Sequence, residues 1–116
     1  MYVKYVGDEI KNILTKNKIY KVLNIIENYY YLIKDDGNIE TVFEPNSFKI
    51  FALLKVKYIG NSDIFSLIKD KTYDVISIES FFSYNDSYRI IDESEDDYLY
   101  HKNSFEIIEN NLNEIS

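Results

Sequence analysis

The chain has no cysteine and no tryptophan, and its 116 residues include one proline, one histidine, one methionine and three glycines. Without cysteine there is no disulfide, and His101 alone cannot make a zinc site, so the usual staples of very small domains are missing. With no glycine-rich run there is no phosphate-cradling loop. With no thiol and one imidazole, the common constellations for nucleophilic attack or phosphoryl transfer cannot be assembled. The expectation is therefore a non-enzymatic protein without a cofactor or metal. No apolar run is long enough to cross a bilayer, and no basic-then-apolar leader follows Met1, which points to a cytoplasmic protein without membrane contact. Positive charge is scarce as well: 13 Lys plus Arg stand against 20 Asp plus Glu, a net charge of -7. Nonspecific nucleic-acid binding needs cations that displace phosphate counterions, so direct nucleic-acid contact is not expected. A protein partner with a basic or mixed surface is.

What the chain does contain is a repetition. Val3-Lys4-Tyr5-Val6-Gly7 returns as Val56-Lys57-Tyr58-Ile59-Gly60, and Asn46-Ser47-Phe48-Lys49-Ile50 returns as Asn103-Ser104-Phe105-Glu106-Ile107. Between them, Leu14 to Val22 matches Leu67 to Val75. The offset is 53 residues in the first part and 57 in the second, so the copies differ by one four-residue insertion. Such a period divides the chain into residues 1–52, residues 53–109 and a flexible tail of residues 110–116. Units this small are marginal alone, and the copies are expected to pack on each other or to form a homodimer.

The repeat reads as all-β. Val, Ile, Tyr and Phe dominate the matched segments, and no stretch sustains an apolar 3.6-residue period. Five strands per copy are predicted: Tyr2 to Val6, Ile19 to Ile26, Tyr29 to Lys34, Ile39 to Phe43 and Phe48 to Phe51. In the second copy they are Lys55 to Ile59, Thr72 to Glu79, Tyr88 to Asp92, Asp97 to Tyr100 and Phe105 to Ile108. Asp35-Asp36-Gly37-Asn38 is the clearest turn, with Gly supplying positive φ. Its counterpart Glu93-Ser94-Glu95-Asp96 lacks Gly and is expected to turn differently.

Short strands avoid sticky edges by closing. The run Leu14-Thr15-Lys16-Asn17-Lys18-Ile19-Tyr20-Lys21-Val22, the aspartate turn and Pro45-Asn46-Ser47-Phe48 resemble the small SH3-like barrels of bacterial and phage proteins, with Asn17 and Asp70 where that pattern has glycine. The resemblance implies two tandem five-stranded SH3-like barrels and no active site. Glu44-Pro45-Asn46-Ser47-Phe48 is also similar to a turn of the peptide-binding eukaryotic SH3 domains. Lys102 replaces the proline in the second copy, and the tryptophan of that family is absent.

Two sets of candidate contact residues remain. The first is aromatic. Tyr29, Tyr30 and Tyr31 are consecutive, and the insertion in copy two places Phe81, Phe82 and Tyr84 in the loop between its second and third strands. Large rings at a protruding tip bury much area at low entropic cost, which suits a partner contact. The alternative is that Phe81 and Phe82 fold back to seal the joint between the copies. The second set is acidic: Asp86 together with Asp92, Glu93, Glu95, Asp96 and Asp97. Its spacing fails the calcium-loop pattern, because Asp97 stands where that loop needs glycine.

Charge sharpens the division. Residues 1–52 balance seven lysines against seven acidic residues, whereas residues 53–116 set six basic against thirteen acidic ones. Two functional expectations follow. One is a protein-binding module, encoded by a phage or other mobile element of an AT-rich bacterium, that uses the aromatics of the second repeat. The other is an acidic inhibitor that imitates nucleic acid and blocks a basic groove on a partner.

Overall fold

The structure is a computed structural model that describes residues 1–61 and 66–115. Contacts divide the chain into two compact units, Met1–Phe51 and Ala52–Ser116. In unit one the strands are β1 (Tyr2–Tyr5), β2 (Ile19–Ile26), β3 (Tyr30–Lys34), β4 (Glu40–Phe43) and β5 (Phe48–Ile50). In unit two they are β6 (Leu54–Tyr58), β7 (Thr72–Glu79), β8 (Ser87–Ile91), β9 (Asp97–His101) and β10 (Phe105–Asn110). All ten predicted strands are present, with ends that move by one or two residues. Among the described residues no helix is long and apolar enough to cross a membrane.

Each unit is a five-stranded antiparallel sheet, with order β4-β3-β2-β1-β5 in the first and β9-β8-β7-β6-β10 in the second. The closed barrel expected from the sequence is not formed. The edge strands β4 and β5 share no ladder, and neither do β9 and β10. A 3-10 turn, Pro45–Ser47 or Lys102–Ser104, redirects the chain after the fourth strand. The last strand then pairs only with the first strand of its unit. The sheet nevertheless curls. Phe48 on β5 lies 6.0 Å from Phe43 on β4 and 5.9 Å from Tyr31 on β3, with Tyr5 at 5.2 Å. Phe105 is ringed in the same way by Tyr58, Tyr88 and Tyr100 at 5.5, 6.2 and 6.1 Å. Side chains thus bring the two sheet edges together where backbone pairing does not.

Alternation along the strands explains which residues fill these cores. Val3, Tyr5, Tyr20, Val22 and Ile33 face inward in unit one, and Val56, Tyr58, Tyr73, Val75 and Ile90 do so in unit two. The long second strand of each unit carries a β-bulge at the same place, after Val22 and after Val75. Such a bulge bends a strand and increases its twist. The shared Tyr-x-Gly start has a packing reason too. Tyr58 folds over Gly60 and donates its hydroxyl to Asn61 O at 3.0 Å, and Tyr5 does the same over Gly7 toward Asp8 O.

Two local expectations are corrected. In the Asp35–Asn38 turn the left-handed residue is Asn38, at φ 63°, and not Gly37. The glycine-free counterpart is the same turn, with Glu95 at φ 68° in the matching place. Asp35 Oδ1 accepts from Gly37 N at 2.9 Å and Asp92 Oδ1 accepts from Ser94 N at 2.9 Å, so an aspartate side chain builds both bends. Asn17 and Asp70, in the places of the pattern's glycine, both sit at φ 67°. Asn111 donates from its backbone to Leu53 O at 2.9 Å and from its side chain to Ala52 O at 3.1 Å, ahead of a 3-10 turn at Leu112–Ile115.

Candidate functional site

The four-residue insertion lengthens the turn between the second and third strands. In unit one this connection is Glu27, Asn28 and Tyr29, with Glu27 and Asn28 at φ 54° and 57°. Positive φ at two successive residues is the geometry of a tight hairpin turn. In unit two the connection runs from Ser80 to Asp86 and is organised by one carboxylate. The N–H groups of Phe81, Phe82 and Ser83 each donate to Asp86 at 2.9 Å, and Ser87 Oγ adds a bond of 3.0 Å. Ser80 Oγ accepts from Asn85 N at 2.9 Å and closes the loop across its base. Three converging amides, led by that of Phe81, hold the Asp86 carboxyl well below the usual carboxylate range.

This clamp spends backbone polarity inward and leaves the rings outside. Phe81, Phe82 and Tyr84 are 66%, 82% and 84% exposed. Phe81 and Phe82 meet edge to face at 4.6 Å. Unit one offers a smaller version at the equivalent turn, where Tyr29 and Tyr30 meet at 4.9 Å, also edge to face. Tyr31, the third residue of that run, turns inward to Phe48.

The acidic candidates separate into different roles. Asp86 is only 2% exposed, so it serves as the clamp of the aromatic loop and does not present a charged surface. Asp92 is buried, with Tyr100 Oη donating to its Oδ2 at 2.6 Å. Burial alone would raise the pKa of its carboxyl, but the bonds from Ser94 and Tyr100 outweigh this and hold it below the usual carboxylate range. Burial, with the Asp92 bond second, pushes the Tyr100 hydroxyl up to about 12.

Glu93 pairs with Lys71 and accepts from Tyr73 Oη at 3.0 Å. Asp36, its counterpart in unit one, holds Lys18 at 2.7 Å and Tyr20 Oη at 2.9 Å. The Lys-x-Tyr motif and its acid are therefore a repeated structural clamp. Asp97 lies 3.4 Å from Arg89 Nη1, and Glu79 lies 2.6 Å from Arg89 Nε. Of the six acidic candidates, Glu95 and Asp96 alone are exposed and outside the ion pairs found among the described residues.

The two sets do not form one patch. The aromatic loop precedes β8 and the acidic turn follows it, and five residues of strand separate them by roughly 17 Å. His101, at the aromatic end of β9, uses Nδ1 to accept from Asn103 N at 3.2 Å and so caps its 3-10 turn, whereas the matching residue of unit one, Glu44, makes no side-chain cap bond. Beside the corresponding turn of unit one, a shallow depression of about 180 Å³ is lined by Tyr5, Ile10, Phe43 and Asn46 among others. Among the described residues no cluster of three His, Cys, Asp or Glu side chains is placed to hold a metal ion.

Sequence reasoning missed Asp86 as a clamp. Its signal was present, because Ser80 and Asp86 bracket the insertion in the manner of residues that bond to nearby backbone amides. Comparison of the chain with protein-family models, with curated proteins and with solved structures finds no match.

Proposed function

We propose that the chain is a non-enzymatic protein-binding module whose contact surface is the Ser80–Asp86 loop of unit two. One observation carries this reading: three large rings are held out by a loop whose backbone is fixed from beneath by a buried carboxylate. A hydrophobic tip costs solubility, and ordering it in advance removes the entropy that a partner would otherwise have to overcome. The repeated strand order, the bulged second strand and the 3-10 turn before the last strand support an open form of the SH3-like small barrel as scaffold. A cytoplasmic partner with an apolar pocket and a mixed rim fits such a tip.

The test is co-purification from the source cells with the unaltered chain and with a Phe81→Ser, Phe82→Ser double variant. The double variant should lose its partner while its melting temperature stays within about 2 °C, since both rings are exposed. Retention of the partner by the double variant would sink the proposal. Salt separates this reading from the acidic-mimic one. Capture through rings should persist at about 0.5 M salt, where contacts between exposed charges are screened to a few ångströms.

A further inference from the structure

The outer face of the unit one sheet is a row of lysines. Lys4 on β1 stands directly opposite Lys49 on β5. Tyr2 on the same strand is opposite Lys21 on β2, so Lys21 is the diagonal neighbour of Lys4. One step beyond the Val22–Ile33 pair, Lys21 faces Lys34 on β3, and Glu40 lies at the far end across from Lys34. All four lysines are exposed, and none is in an ion pair among the described residues. Like charges directly opposite each other on a sheet are destabilising.

Unit two shows how the same scaffold avoids this. Its residues at the places of Lys4 and Lys49 are Lys57 and Glu106, 3.7 Å apart. At the places of Tyr2 and Lys21 stand Lys55 and Asp74, 3.1 Å apart. Ile91 replaces Lys34. The repulsion is thus built into one copy and neutralised in the other.

We infer that this face of unit one binds the phosphodiester backbone of a single-stranded nucleic acid. The cations form a line that crosses four strands over about 15 Å. A linear polyanion supplies one charge for each lysine and releases counterions as it binds. The whole-chain charge argues against nucleic acid, but that excess belongs entirely to unit two, and residues 1–52 carry no net charge. Half-buried Tyr2, opposite Lys21 and two residues before Lys4 on β1, adds an aromatic side chain to the same face, where a base could stack.

The experiment is fluorescence anisotropy with labelled oligo-dT and oligo-U strands of about 20 nucleotides, using the full chain. Binding should weaken about 20- to 50-fold between roughly 50 and 200 mM salt, as three to four phosphate contacts require. The tighter of the two strands identifies DNA or RNA as the source of the backbone. Installing the unit two residues, Lys21→Asp with Lys49→Glu, should reduce affinity at least tenfold while leaving the melting temperature equal or higher. A charge-matched control outside the sheet, Lys11→Glu with Lys16→Asp, should lose far less. The inference is overturned if neither strand binds at low salt, or if the control loses as much as the face variant. It is also overturned if the face variant changes the sedimentation of the free chain and not oligonucleotide binding, because the face is then an interface between copies.

Discussion

The two units share a sheet and differ in what they do with its surface. In both, one phenylalanine is ringed by three aromatic residues, a tyrosine folds over a glycine, and a lysine, a tyrosine and an acid form a clamp. Even the departures compensate. Asp35 of unit one is satisfied by Thr41 Oγ1 at 2.9 Å. The residue matching Thr41 in unit two is Tyr98, and the bond passes to Tyr100, which adds a hydroxyl where unit one has Phe43. Pairwise changes of this kind keep a buried carboxylate hydrogen-bonded, which the cost of an unsatisfied one demands. The uncompensated differences are the aromatic loop of unit two and the lysine row of unit one. Packing explains the first group, and contact with other molecules is the proposal for the second.

The comparison breaks most sharply in the cores. Ile33 and Ile90 occupy equivalent positions and are both 0% exposed. Ile33→Ala and Ile90→Ala should each cost about 2–5 kcal/mol and agree with one another, as read by denaturant unfolding. A loss below about 1 kcal/mol in one unit alone would show that the repeats are not packed alike. Smaller, but more particular, is the tyrosine–glycine contact. A Cβ at Gly7 would lie 2.9 Å from Tyr5 Cζ, and one at Gly60 would lie 2.5 Å from Tyr58 Cζ. Both rings are buried and cannot swing aside, so Gly7→Ala and Gly60→Ala should each destabilise by about 1–3 kcal/mol. Trimming the ring in the same molecule should recover part of the loss, and strict additivity would contradict the contact.

Acid should then separate the units by degree. Asp35 and Asp36 in unit one, and Glu79, Asp86, Asp92 and Glu93 in unit two, are all held below their ordinary pKa values. For a lowered carboxylate the unfolded chain takes up its proton first, so the stabilisation is intact above about pH 4 and is lost as the pH falls below it. Amide exchange followed through an acid titration should therefore show unit two opening before unit one. The reverse order would mean that these bonds do not govern acid stability.

Much of the fold was legible because the chain states its pattern twice. Tyr20 and Val22 recur as Tyr73 and Val75, and a period-2 alternation seen at matched places cannot be chance. Closure was misjudged because sequence shows strand number and not edge pairing, and a three-residue β5 redirected by a 3-10 turn pairs on one side only. Glycine was a poor guide to turns here, since no glycine has positive φ and Asn17, Asn38, Asp70 and Glu95 occupy the left-handed places. At the candidate site, composition located the aromatic loop, but it could not separate the carboxylates. Asp86, Asp92 and Glu93 read as one acidic group until their donors, Phe81 N, Tyr100 Oη and Lys71 Nζ, assign each to a different structural task. The lysine row was invisible for a related reason: Lys4, Lys21, Lys34 and Lys49 are distant in sequence and become neighbours only through strand register.

The central claim is that contact with a partner falls on the Ser80–Asp86 loop of unit two. Its most direct test places a photo-crosslinking amino acid, in separate chains, at Phe82, at Tyr29 and at Glu95, followed by irradiation in the source cells. The account predicts a discrete protein adduct from position 82, a weaker adduct or none from position 29, and none from position 95. An adduct from position 95 alone would place the contact on the acidic turn and contradict it.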